Sequence, residues 1–123
     1  MGTYREEDVD ILTIKTTDGY IGILANHIPL AAGVEISEMH YKIDNQTYEF
    51  AIAGGFLYVS EENTVTVIAN AIESKDEIDL KRAQAAEKRA RDRLASKKEG
   101  IDIKRAQLAL AKALVRINVK NMK

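Results

Sequence analysis

The chain has 123 residues, and at 46% hydrophobic and 30% charged it has the make-up of one modest globular domain, or of a small domain with an appendage, which excludes a large multidomain enzyme and a disordered polymer. It contains no cysteine, so disulfides, thiolate catalysis and sulfur-ligated zinc are excluded together. No apolar run is long enough for a membrane-spanning helix, and the acidic start through Asp8 is unlike a signal peptide, so membrane association is expected only through a partner.

The net charge of -1 hides a division. Residues 1–75 carry 4 Lys/Arg against 12 Asp/Glu, a net of -8, whereas residues 76–123 carry 14 against 7, a net of +7. Six of the seven glycines and the single proline, Pro29, precede residue 76, and the remainder is rich in Ala, Lys and Arg. The expected organisation is therefore a domain at 1–76 and a second at 77–123, whose opposite charges either attract each other or face different partners.

Along the first part, short β-branched runs alternate with turn chemistry. Val9 to Lys15 reads as a strand, Thr16-Thr17-Asp18-Gly19 as a hairpin turn, and Tyr20 to Leu24 as the returning strand. Asn26-His27-Ile28-Pro29 is a loop, because proline restricts its predecessor and cannot donate to a ladder. Glu35 to Ile43 and Thr47 to Ala53 are strands about the turn Asp44-Asn45-Gln46, with Tyr48, Phe50 and Ile52 on one face. Gly54-Gly55 marks a bulge or a close backbone approach, after which Phe56 to Ser60 and Thr64 to Ile68 form a last hairpin around Glu61-Glu62-Asn63. Strands at about 8–12 residue spacing predict an all-β sandwich or barrel.

After residue 76 the period changes to helical. Ile78-Asp79-Leu80-Lys81-Arg82-Ala83-Gln84 returns 23 positions later as Ile101-Asp102-Ile103-Lys104-Arg105-Ala106-Gln107, and Asp79 and Asp102 are placed to cap two helices. Ser96 to Gly100 separates them, with lysines near the helix end and a glycine at its close. The product is an antiparallel hairpin with an expected seam of Leu80, Ala83, Ala86/Glu87, Ala90 and Leu94 against Ile103, Ala106, Leu110, Ala113, Leu114 and Ile117. The fold class is thus α+β: an N-terminal antiparallel β-sandwich followed by a C-terminal two-helix hairpin.

No catalytic set can be assembled. His27 and His40, the only histidines, lack carboxylates at metal-ligand spacing, so no metal site is expected. The basic half has no aromatic residue to stack on bases, and its cations are interspersed with acids, which argues for a solvated or protein-facing helix surface over nucleic acid. A more pointed grouping joins Glu73, Asp79, Arg82, Lys112 and Arg116: Arg82 opens the first helix and Arg116 closes the second, so both stand at one end of a hairpin, where two cations could hold phosphates. An ordinary cap at Asp79 with ordinary surface arginines is the plainer reading of that spacing.

The segments Gly22-Ile23-Leu24-Ala25-Asn26-His27-Ile28-Pro29-Leu30, Ala51-Ile52-Ala53-Gly54-Gly55-Phe56-Leu57-Tyr58-Val59 and Val65-Thr66-Val67-Ile68-Ala69, with the Ile-Asp-x-x-Arg-Ala start at Ile78, resemble the epsilon subunit of bacterial F-type ATP synthase along nearly the whole chain. The resemblance implies a non-catalytic rotor subunit at the cytoplasmic face of the cell membrane, peripheral and held there by the complex. Its sandwich would bind the gamma subunit and sit on the c-subunit ring, helping couple proton flow to ATP synthesis. Its hairpin would lie on the sandwich or extend toward the alpha and beta subunits to inhibit ATP hydrolysis.

By motif, the resemblance places ATP as a regulatory ligand, with no cofactor required, on Glu73, Asp79, Arg82, Ala83 and Arg116, and Lys112 stands where an arginine is common. It puts Tyr20, in place of a usual acidic residue, and His27 on loops facing the c ring. A further opening strand usual in the family has no counterpart in these residues, so either the sequence starts after it or another segment covers that sheet edge. A free-standing ATP sensor or β-sandwich adaptor with a helical arm is the alternative.

Overall fold

A computed structural model describes residues 11–17, 19–24, 29–62, 64–96 and 102–122. Six strands precede two helices: β1 (Ile11–Thr16), β2 (Gly19–Leu24), β3 (Leu30–Ile43), β4 (Gln46–Val59), β5 (Val65–Ala69), β6 (Ile72–Ser74), α1 (Leu80–Ala95) and α2 (Ile103–Lys120). The strands pair antiparallel in the order β2-β1-β3-β4-β5, with β6 also on β4.

The long ribbon of β3 and β4 organises the domain. Its turn is tight because Asp44 and Asn45 both adopt positive φ, 49° and 69°, the geometry that matches the twist of a hairpin. Near this turn the inward residues are Ser37, Met39 and Tyr41 on β3 and Phe50 and Ile52 on β4. Beyond the middle, inward positions change parity to Val34 on β3 and to Leu57 and Val59 on β4. A change of parity turns the opposite face of a pleated strand inward, so the two halves of the ribbon enclose one core from different sides. That core joins Leu12, Ile14, Ile23, Val34, Met39, Tyr41, Phe50, Ile52, Leu57 and Val59. Tyr41 stacks on Tyr48 and Phe50, with ring centroids 5.5 and 5.2 Å away.

The parity change falls at Gly54 and Gly55, whose φ values of 90° and 153° disfavour side chains. A Cβ on Gly55 would lie 1.9 Å from the carbonyl oxygen of Ile68, so the close backbone approach expected from this pair is present. Two departures from the expected strands follow from pairing. β3 begins at Leu30 rather than Glu35, because Leu30 to Val34 pair with Val59 to Gly55 despite the weak strand preference of Ala31-Ala32-Gly33. The short β6 is held by its register with Phe50 to Ile52, which composition does not announce.

Both expected caps form: Asp79 Oδ1 accepts from the Arg82 amide and Asp102 Oδ1 from the Arg105 amide, each at 3.1 Å. The helices then meet through alanine. Ala83 and Ala90 on α1 and Ala106 and Ala113 on α2 are buried, each pair seven residues apart. Ala83 and Ala113 lie equally far from residue 98, as do Ala90 and Ala106, so an antiparallel hairpin sets them level. The expected seam needs one correction, since Ile103 is 60% exposed: it stands at the turn end of the hairpin, off the line through Ala106 and Ala113 along which the helices close. α2 lies on the sheet, where Val119 and Ile78 are buried with Ala51 and flanked by Val115 and Met122.

Candidate functional site

The junction of α2 with the sheet gathers half of the expected nucleotide set. Glu73 lies on β6 beside Ala51 of β4, and Arg116 Nε donates to Glu73 Oε1 across the junction. Lys112, one helical turn earlier, lines the same crevice with Val115, Ala53 and Ala71. The crevice encloses about 10 Å³, room for about one water molecule. Two cations against one carboxylate leave it positive, which suits a phosphate, while Arg116 is committed to Glu73.

The other half is placed differently. Asp79 is engaged as the cap of α1, Arg82 is exposed, and Ala83 is buried in the helical seam; none of the three lines the crevice. Of the residues expected to face the c ring, Tyr20 on β2 is 57% exposed, with the Lys15 ammonium 5.7 Å from its ring centroid. His27 lies outside the described residues. Among the described residues no three His, Cys, Asp or Glu side chains gather as a metal site.

One exposed apolar surface was not apparent in the sequence. Phe56 and Ile68 are cross-strand partners on β4 and β5, and Tyr58 stands opposite Thr66 in the next row. Paired residues share a face, and here it is the outer one: Phe56 is 58% exposed, Tyr58 46% and Ile68 44%. The available signal is that Phe56 to Val59 is apolar at every position, so a strand of an antiparallel sheet carries apolar side chains on both faces. Exposed apolar side chains grouped on one face are a feature that protein-docking surfaces share.

Sandwich, alanine-seamed hairpin and exposed apolar face together define a small two-part subunit built to assemble with other chains. The beta-sandwich domain of the ATP synthase delta/epsilon chain matches residues 2–75, and the long alpha-helix domain of the same chain matches residues 76–121. The ATP synthase epsilon chain of Ruminococcus albus is 40% identical over 120 residues, covering 98% of this chain and 90% of the relative. That of Bacillus cytotoxicus is 40% identical over 122 residues, covering 99% and 91%. A chain in the cryo-EM structure of the Euglena gracilis mitochondrial ATP synthase (OSCP/F1/c-ring) superposes with a TM-score of 0.75 at 25% identity, covering 87% of this chain and 67% of that one. A chain in the central stalk/c-ring structure of the Tetrahymena thermophila enzyme shares the fold, with a TM-score of 0.51 at 14% identity. The chain belongs to the ATP synthase delta/epsilon family, as an epsilon-type subunit of F-type ATP synthase.

Proposed function

We propose that this subunit is a non-catalytic rotor component whose sandwich binds the gamma subunit through the face of Phe56, Tyr58 and Ile68. The sandwich also rests on the c-subunit ring at the end of the domain that carries Tyr20. Its hairpin reaches the alpha and beta subunits when extended and restrains ATP hydrolysis. The chain works at the cytoplasmic face of the membrane and is held there by the complex; no described helix is long and apolar enough to cross a bilayer. ATP acts on it as a regulatory ligand at Glu73, Lys112 and Arg116, stabilising the docked hairpin by its preference for that state.

The observation that carries the reading is the exposed apolar cluster of Phe56, Tyr58 and Ile68, set on the face opposite the closed core of the domain. The test is binding of the full chain to the purified gamma subunit of a matched enzyme. Phe56→Asp is expected to weaken binding at least about 30-fold, roughly 2 kcal/mol, as for an aromatic anchor at an interface centre, and to lower the melting temperature by only the few degrees that loss of the Phe56–Ile68 pair costs. Equal binding by the wild type and by this variant would refute the assignment of the face. Absence of binding by the wild type would refute the rotor reading.

A further inference from the structure

α2 lies across the outer face of β3 and β4, and charge is sorted between the two surfaces. Lys112, Arg116 and Lys120 recur every four residues and form one row along the helix. On the sheet, the register lines up Glu38, Ala51 and Glu73 across β3, β4 and β6, and the neighbouring row holds His40 and Glu49, with Lys75 just beyond β6. Ala51 is buried against α2, so its row and the rows that alternate with it look toward the helix. Three glutamates of an acidic domain thus face the cation row of a basic hairpin.

The contacts at this junction run both within the sheet domain and across it to the helix. Arg116 pairs with Glu73, beside Lys112. Glu38 Oε2 is 3.4 Å from His40 Nδ1, and Glu49 Oε2 is 3.5 Å from Lys75 Nζ. Lys75 Nζ also donates to the carbonyl of Met122, while Lys120 Nζ donates to the carbonyl of Lys75 at 3.0 Å. Each of these lysines therefore holds the main chain of the other's segment, and the Lys75 cation meets the negative end of the α2 dipole. Lys75 is also where the chain leaves the sheet for the hairpin, so the end of the hairpin is fastened to its root. The Arg116 and Glu73 side chains are 31% and 34% exposed, within reach of counterions.

We propose that these contacts are an electrostatic latch that sets the balance between docked and free hairpin, so that salt, or loss of charge at Arg116, Lys120 or Glu73, releases the hairpin as a unit. The proposal rests on the reading that the hairpin can leave the sheet, and the experiment separates the two. The chain has no cysteine, so Thr66→Cys and Gln107→Cys, both at exposed positions, give two unique labels in the full chain for a distance measurement by pulsed electron paramagnetic resonance.

The free-to-docked ratio is expected to rise severalfold between about 0.01 and 1 M salt, as the screening length falls from about 30 to 3 Å. At low salt Arg116→Gln and Lys120→Gln are each expected to raise it about tenfold. Arg116→Glu combined with Glu73→Arg is expected to restore docking that neither change supports alone. Val119→Asp, which ruins the apolar contact, marks the distance of the free hairpin. If Val119→Asp frees the hairpin while salt and the charge variants leave the ratio at its wild-type value, the latch is wrong and the mobility stands. If no variant or salt concentration yields a second distance, the mobility is wrong and the latch falls with it.

Discussion

Arg116 on α2 and Glu73 on β6 lie 43 residues apart in sequence and form an ion pair that joins the helical domain to the sheet. An ATP phosphate at this site has to win Arg116 from Glu73, because the crevice has room for about one water molecule. Binding would therefore rearrange the junction rather than fill a preformed pocket. Millimolar ATP is expected to raise the melting temperature of the full chain by about 3 °C or more, as for a ligand well above its Kd. Arg116→Gln is expected to abolish the shift and Lys112→Arg to enlarge it, since a guanidinium can grip a phosphate with two hydrogen bonds. A melting temperature of the wild type unmoved by ATP would remove ATP from the function.

The two aspartate caps give a prediction confined to the hairpin. Asp79→Ala and Asp102→Ala each leave an amide at a helix start without its acceptor, at a cost of about 1 kcal/mol. Thermal loss of the helical signal in circular dichroism is expected to move down in each variant. Asp→Asn, which keeps the acceptor oxygen, is expected to recover most of the loss. A full loss with Asn would show that charge, not capping, is what these residues supply.

Gly55 is the position in the sheet least tolerant of a side chain. Gly55→Val would drive a Cβ into the carbonyl of Ile68, so one strand must separate from the other, and a loss of more than about 4 kcal/mol is expected. Gly54→Ala meets the Val34 carbonyl at 3.3 Å and keeps an unfavourable φ, and should cost less. Urea unfolding followed by tyrosine fluorescence ranks the two; the reverse order would contradict the described path of β4.

At the helical seam, enlarging a buried alanine is expected to be harmful where the same change on the surface is not. Ala90→Leu or Ala113→Leu overfills a site with 1% or 0% exposure and should cost about 1–3 kcal/mol. Ile103→Lys, at the exposed end, should stay within about 0.5 kcal/mol of the wild type. Melting of the helical signal distinguishes these outcomes.

What could be read from the sequence was mostly what is local. Asp79 and Asp102 announce helix starts because capping acts within one turn, and Gly54-Gly55 announces a close approach because few other residues allow it. β6 and the first half of β3 depend on register with β4, which weak-propensity residues such as Ala31 and Ala32 do not signal. Ile103 fits the apolar period of the seam yet ends up in water, because periodicity does not say which members of an apolar face a narrow, alanine-lined contact will cover. Glu73 and Arg116 could be grouped by their places about the base of the hairpin and by the family motif, but that they form an ion pair could not be foreseen at a sequence separation of 43. The outer row of Phe56, Tyr58 and Ile68 was hidden by the ordinary look of an apolar strand.

The alanine seam also determines what sort of object the hairpin is when nothing else covers it. Its buried contact is made by the smallest apolar side chains, so two slender helices close on each other, while Val115, Val119 and Met122 face the sheet and Ile103 and Leu108 already stand 60% and 43% exposed on α2. Lifted from the sheet, the hairpin would therefore travel as a thin charged rod studded with a few apolar side chains, which give it something to grip wherever it next comes to rest.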